Sequence, residues 1–267
     1  MKSKIALSLL GLFVAAGCFG IDTDVKKFFG APATVKPAPG KIYPKGAQLP
    51  YALPGKGNVT AEALQRTPYR PLALNAGADI GRLAWRQATG EANSVAVIRL
   101  DSLPEGASAR YDIYTALQSG ARGICLLPAA SLLSAAAGKT YIDEAVKTME
   151  ELNGSAALTA ALTAGSPRNT ITLTITEGPP TVTGPDGKNY PSLALRDVVY
   201  DACRYVVLTN AAASPVEVMV GGLVYGSGIT VEELFSANDK FIAPEADFGT
   251  KLNPREVKIF KIYNAAR

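Results

Sequence analysis

The hydrophobic period of this chain changes at Gly165-Ser166-Pro167, and that change limits the folds open to it. Upstream, apolar residues recur at helical spacing or in unbroken runs of strand length. Downstream they alternate with polar ones, as in residues 169–176 (NTITLTIT). An alternating strand has one buried and one wet face, whereas an unbroken apolar strand is buried on both, as in parallel sheets. The chain therefore predicts an α/β unit followed by an antiparallel β unit.

In the first unit, Ser94–Leu100 (SVAVIRL) and residues 121–127 predict two buried strands. Between them, Asp101-Ser102-Leu103-Pro104-Glu105 predicts a helix start. Pro104 suits the first turn, and Glu105 suits the positive end of the helix dipole. Ala109, Ile113, Ala116 and Leu117 share one face, and Gly120 ends the helix. Residues 140–152 predict the next helix, with Thr140 and Asp143 as a candidate capping box. Residues 155–164 continue it after a kink at Gly154. Further upstream, KGAQLPYALPG from Lys45 predicts a first strand that turns at Pro54-Gly55. Residues 58–66 predict a short helix capped by Asn58 or Thr60, and residues 69–75 a strand. In the second unit, strands are predicted at 193–200, 204–209, 216–220 and 257–263, with a hairpin-type turn at 184–187. Short strands with frequent turns predict an antiparallel β-sandwich.

Composition excludes more chemistry than it admits. The 267 residues contain no histidine, so Ser-His-Asp and Cys-His nucleophile systems and His-ligated zinc are excluded. Three cysteines, Cys18, Cys125 and Cys203, are too few for a Cys-only zinc site. No cofactor or metal is predicted. Cys125 and Cys203 lie in apolar strand-like runs, where free buried thiols and a mutual bridge are both open readings. The formal charge of +4 is dispersed, with Lys26-Lys27 the longest basic cluster, and no nucleic-acid partner is predicted. Ala137-Gly138-Lys139-Thr140 has the ending of a phosphate-binding loop. Leu133 stands where that loop needs its first glycine, so a plain helix start is predicted.

At the N-terminus, Lys2 and Lys4 precede an apolar run, residues 5–16, shorter than a standard spanning helix. The run leads into Val14-Ala15-Ala16-Gly17-Cys18, which resembles a bacterial lipobox. That resemblance implies a signal peptide over residues 1–17, a diacylglyceryl group on Cys18, and attachment to the cell-envelope membrane through it. The alternative is an ordinary secretory signal and a soluble periplasmic or secreted protein. Both imply export. Residues 18–44, rich in Pro, Gly and Lys, predict an extended tether.

Leu103-Pro104-Glu105, Tyr114, Ala116-Leu117, the turn Gly120-Ala121-Arg122-Gly123 and the helix TYIDEAVKTMEELN occur in an order that resembles the last βα units of clan A-type (β/α)-barrel glycoside hydrolases. RYVVLTNAAASPVEVMV, with Asn210 at the turn and Pro215 restarting the strand, resembles the β-domain that follows such barrels. So does LNPREVKIFKIY, through Leu252, Pro254, Val257, Ile259 and Phe260. KIYPKGAQLPYAL resembles their opening strand. The resemblance implies a condensed or partial (β/α) barrel over residues 45–165 and a C-terminal β-sandwich over 166–267. A complete barrel takes about 250 residues, with roughly 200 as a floor, and the first unit supplies about half of that. Four barrel strands can be named, near Gln48, Leu72, Val97 and Ile124. An open parallel edge must then be covered by the β unit or paired by self-association.

Retaining glycosidases place two carboxylates about 5–5.5 Å apart. The resemblance implies an acid/base in an Asn-Glu pair on the fourth strand, and no Asn-Glu dipeptide occurs in this chain. Asp101, at the end of the strand Ser94–Leu100, is the candidate second carboxylate, although its position also suits a helix N-cap. Glu91 precedes that strand, on the wrong side. The sequence thus predicts an exported glycoside-hydrolase-like protein without catalysis, binding carbohydrate or serving a structural role in the envelope. The alternative is an active glycosidase with its carboxylates placed elsewhere. Trp85, Tyr43, Tyr51 and Tyr69 are the candidate sugar-stacking residues, against the alternative that they serve packing alone.

Overall fold

The computed structural model describes residues 49–61, 64, 70–76, 94–168, 170–184, 187–223, 229–236, 240–243 and 246–263. The predicted signal peptide and tether lie outside these residues. In the first unit, β1 (Tyr51–Leu53), β2 (Lys56–Gly57), β3 (Arg70–Asn75), β4 (Ser94–Leu100) and β5 (Ala121–Pro128) form one sheet in the order β2-β1-β5-β4-β3. β1, β5, β4 and β3 run parallel, and β2 is antiparallel at the edge. The predicted Pro54-Gly55 turn makes that hairpin, with Gly55 at φ +69. In a closed barrel the first and last strands are neighbours, and here β1 pairs with β5, Tyr51 facing Ile124. The described strands form an open segment, not a ring. The two-residue β2 covers the outer edge of β1, a short edge strand of the kind that discourages further pairing.

The two faces of this sheet are covered differently. Ala96, Ile98, Leu100, Ile124 and Leu126 pack against α1 (Ala109–Gln118), α3 (Ala136–Gly154) and α4 (Ala156–Ala164). On the opposite face, Val95, Val97, Cys125 and Ala52 meet Leu64. A Cβ on Gly123 would come within 3.2 Å of Leu64 Cδ2 and 3.3 Å of Val95 Cγ2. The second glycine of the Gly120–Gly123 turn is therefore where Leu64 docks. A full barrel fills its inner face with layers of side chains from its own strands; among the described residues, Leu64 and Ala61 cover this face.

Two helix starts differ from expectation. α1 begins at Ala109 rather than in residues 101–105, because Gly106 lies at φ +69 and breaks the path. Ser108 is its N-cap and accepts from Tyr111 N at 3.1 Å, so Asp101 does not cap this helix. Glu144 of α3 reaches across to accept from Ser108 Oγ at 2.8 Å and Ala109 N at 2.7 Å. α3 begins at Ala136, four residues before the expected Thr140, whose hydroxyl donates to Ala136 O at 3.1 Å instead of forming a capping box. The short α2 (Ala130–Ser134) lies so close to α3 that a Cβ on Gly138 would sit 1.9 Å from Leu132 O. That contact is the physical role of Gly138 in the Ala-Gly-Lys-Thr stretch. The expected break follows α3, where Thr159 Oγ1 donates to Leu152 O at 2.6 Å. Asn58 does not cap a helix either: its side chain accepts from Tyr51 N at 2.9 Å and donates to Leu49 O at 3.0 Å.

The second unit comprises β6 (Ser166–Pro167), β7 (Thr172–Glu177), β8 (Thr181–Thr183), β9 (Asn189–Pro191), β10 (Leu193–Tyr200), β11 (Cys203–Asn210), β12 (Val216–Gly221), β13 (Ile229–Glu233), β14 (Lys240–Ala243), β15 (Phe248–Leu252) and β16 (Val257–Ile262). They form an antiparallel six-stranded sheet, β14-β13-β16-β11-β10-β6, a three-stranded sheet, β15-β12-β7, and the hairpin β8-β9. Val206, Leu208, Phe260 and Ile262 of the larger sheet share one apolar cluster with Val216, Val218, Val220, Phe248 and Leu252 of the smaller. The rings of Phe248 and Phe260 meet edge to face at 4.8 Å. Behind them Val198, Tyr205, Val207 and Ile259 join the cluster built on α1, α3 and α4. β11 is consequently buried on both faces, which is why its sequence shows no alternation. Gln118 closes the polar part of this junction, donating to Val207 O at 2.9 Å and accepting from Thr209 Oγ1 at 2.9 Å.

Candidate functional site

Parallel α/β sheets bind ligands beyond the C-terminal ends of their strands, where loops rather than ladders use the backbone groups. At that rim β3 and β4 end in a cleft of about 530 Å³ lined by Asn75, Ala76, Asp101, Ser102, Leu103 and Pro104. Its floor is fixed by backbone bonds between strand ends: Ala76 N donates to Arg99 O and Ala129 N to Leu100 O, both at 2.9 Å. Leu103 and Ala107 pack on the helix-side core, and Ala107 N closes a turn onto Pro104 O at 3.1 Å. The loop carrying Asp101 and Ser102 is thereby held at both ends.

Asp101 Oδ2 lies 2.9 Å from Arg99 Nη2, with the two side chains 56% and 54% exposed. The cleft and its neighbour thus offer a carboxylate, a guanidinium, an amide from Asn75 and a hydroxyl from Ser102. Such a mixture of donors and acceptors can engage sugar hydroxyls, each of which is both. Asp101 is the one carboxylate among the described lining residues. Glycoside hydrolysis needs a second carboxyl at about 5–5.5 Å for retention or about 6.5–9.5 Å for inversion, and the described lining does not provide it. Among the described residues there is no group of three or more acidic or cysteine side chains that could hold a metal ion.

The other candidates fall elsewhere. Tyr51 is half-buried on β1, packed against the helix-side core, and β5 separates its strand from the one that ends at Asp101. Cys18, Tyr43, Tyr69 and Trp85 lie outside the described residues. Cys125 is buried and Cys203 half-buried, and no disulfide joins them. Asn75, Arg99 and Ser102 were not singled out by sequence as site residues. The available signal was their place at the ends of two unbroken apolar strands.

No protein-family model matches the chain, and no curated protein matches it. Among solved structures it is similar to an Anoxybacillus α-amylase at 13% identity and a TM-score of 0.40, over 63% of this chain and 38% of that one. It is also similar to a GH27 β-L-arabinopyranosidase from Geobacillus stearothermophilus at 10% identity and 0.42, over 70% and 41%. A third is α-galactosidase I from Mortierella vinacea, at 11% identity and 0.39, over 69% and 44%. These neighbours are glycoside hydrolases, and the chain spans about two fifths of their length. A likeness at this level decides neither fold nor chemistry.

Proposed function

We propose that this chain is an exported, glycoside-hydrolase-like protein that binds carbohydrate without hydrolysing it. The observation that carries the reading is the cleft at the ends of β3 and β4, which joins sugar-compatible polar groups to a single carboxylate, Asp101, already paired with Arg99 at 2.9 Å. In this reading Asp101, Asn75 and Ser102 accept from and donate to hydroxyls, and Arg99 orients the Asp101 carboxylate. The four parallel strands are a retained part of a (β/α) barrel, and the two antiparallel sheets are its C-terminal β-sandwich. Residues 1–17 direct export, Cys18 carries a diacylglyceryl anchor, and residues 18–44 hold the binding unit away from the membrane.

A panel of aryl glycosides and polysaccharides tests the reading. Binding without aglycone release, weakened at least tenfold in Asp101→Asn, supports it. Release by the wild type that disappears in Asp101→Asn overturns it in favour of an active glycosidase. Absence of any binding leaves a structural role in the envelope. For the anchor, mass spectrometry of the exported protein should find a diacylglyceryl group on Cys18; a soluble, unmodified N-terminus contradicts it.

A further inference from the structure

A second cleft, of about 540 Å³, opens on the same rim at the ends of β1 and β5. Its lining differs in kind from the first. Leu53, Pro54, Val59, Leu126, Pro128 and Leu133 form half of its described lining. Val59 and Leu133 are 37% and 45% exposed, and Leu127, in the strand that ends between the clefts, is 36% exposed. Val59 and Leu133 thus leave apolar surface open to a ligand on opposite walls of this cleft. Lys56 is the one charged residue among the described lining, and its ammonium is held by Glu150 of α3, an interaction that raises its pKa. The β1–β2 hairpin is tied to α3 through Lys56 and Glu150, and Gly138 lets α2, which carries Leu133, press onto α3.

The two clefts lie side by side on the rim. Pro128, in the wall of the apolar cleft, is the register partner of Leu100, which immediately precedes Asp101 of the polar one. Adjacent strands lie about 4.8 Å apart, so one ligand a few atoms longer than a sugar ring can reach from one cleft to the other. We propose that the pair of clefts holds one amphiphilic glycan, its sugar against Asp101, Asn75 and Ser102 and its aliphatic aglycone against Leu53, Val59, Leu126 and Leu133. This rests on the carbohydrate-binding reading above and adds the class of ligand: a glycoside with an alkyl or acyl tail.

The test is a calorimetric titration of the full chain with methyl, butyl, hexyl and octyl glucosides and galactosides below their micelle concentrations. A sugarless octyl oligoethylene glycol ether is run beside them. The dissociation constant is expected to fall by up to about fourfold for each methylene buried. Leu133→Asp should flatten that series while leaving the methyl glycoside unchanged, and Asp101→Asn should weaken every glycoside by the same factor. Val59→Asp, at the opposite wall, gives an independent variant should Leu133→Asp unfold. Binding of the methyl glycoside with no gain along the series overturns the two-cleft proposal and leaves the carbohydrate reading standing. Equal affinity for the sugarless ether and the octyl glycosides also overturns it, because the apolar cleft then takes alkyl chains alone. No binding of any glycoside overturns both.

Discussion

Arg204–Asp197 and Arg99–Asp101 are chemically the same pair at similar closest approach, 2.6 and 2.9 Å, but the side chains of the first are 1% exposed and those of the second more than half exposed. In the buried pair, Arg204 Nε donates to Asp197 Oδ1 at 2.7 Å and Nη2 to Oδ2 at 2.6 Å, while Thr170 N adds a donor to Oδ2 at 3.2 Å. Each group there has taken its partners, and nothing is left for a ligand. In the exposed pair one contact joins the two side chains, water reaches both, and Asp101 lines the cleft. Exposed pairs of this kind contribute about 0–1 kcal/mol to stability. Burial, not residue type, separates a structural pair from one available for binding.

That contrast can be broken first at Asp197. Asp197→Ala strands the Arg204 guanidinium in the core and should cost about 3–5 kcal/mol in denaturant unfolding; a loss below about 1 kcal/mol would make the two pairs equivalent. Leu64 and Leu133 repeat the contrast among apolar residues. Leu64→Ala empties the inner face of the parallel sheet, where Leu64 is 1% exposed, and should cost about 2–5 kcal/mol, whereas Leu133→Ala should stay within about 0.5 kcal/mol.

Beside Arg204 on β11, burial pushes the Tyr205 phenol up to about 12, with Cys203 adding to the shift. Its ordinary value is about 10. The folded state favours the neutral phenol, so this contribution is complete below pH 10 and is lost as pH rises through about 12. Tyr205→Phe should flatten the alkaline end of a stability–pH curve between those values. An unchanged curve would mean that the larger sheet is open to water there. The smallest stability effect belongs to Asp101→Asn, within about 0.5 kcal/mol by thermal unfolding.

The parallel strands were legible because each is an unbroken apolar run; Ser94–Leu100 was found to the residue. The antiparallel strands at 193–200, 203–210, 216–221 and 257–262 were found within a residue or so. Helix starts were not, because a proline and an acidic residue are a local signal, and Gly106 and Ser108 outweigh it in the folded chain. The first alternating segment carried the right period but began late, with β7 starting at Thr172. The buried ion pair was hidden for a different reason. Asp197 and Arg204 are diagonal neighbours across a hairpin whose turn, Asp201-Ala202, has both residues at positive φ, at 50° and 61°. Nothing in the local sequence marks that register. For the site, Asp101 could be named from its place after a strand. Asn75, Arg99 and Ser102 become partners only when β3 and β4 align and the loop after Leu100 folds back.

The most direct test measures binding and turnover on the same sample: calorimetric titration of the full chain with a glycan it retains, followed by assay of that sample for released reducing ends. Saturable binding with no release, lost in Asp101→Asn at unchanged thermal stability, is the predicted result. Release of reducing ends that Asp101→Asn abolishes would contradict it and make the Asp101 cleft an active site.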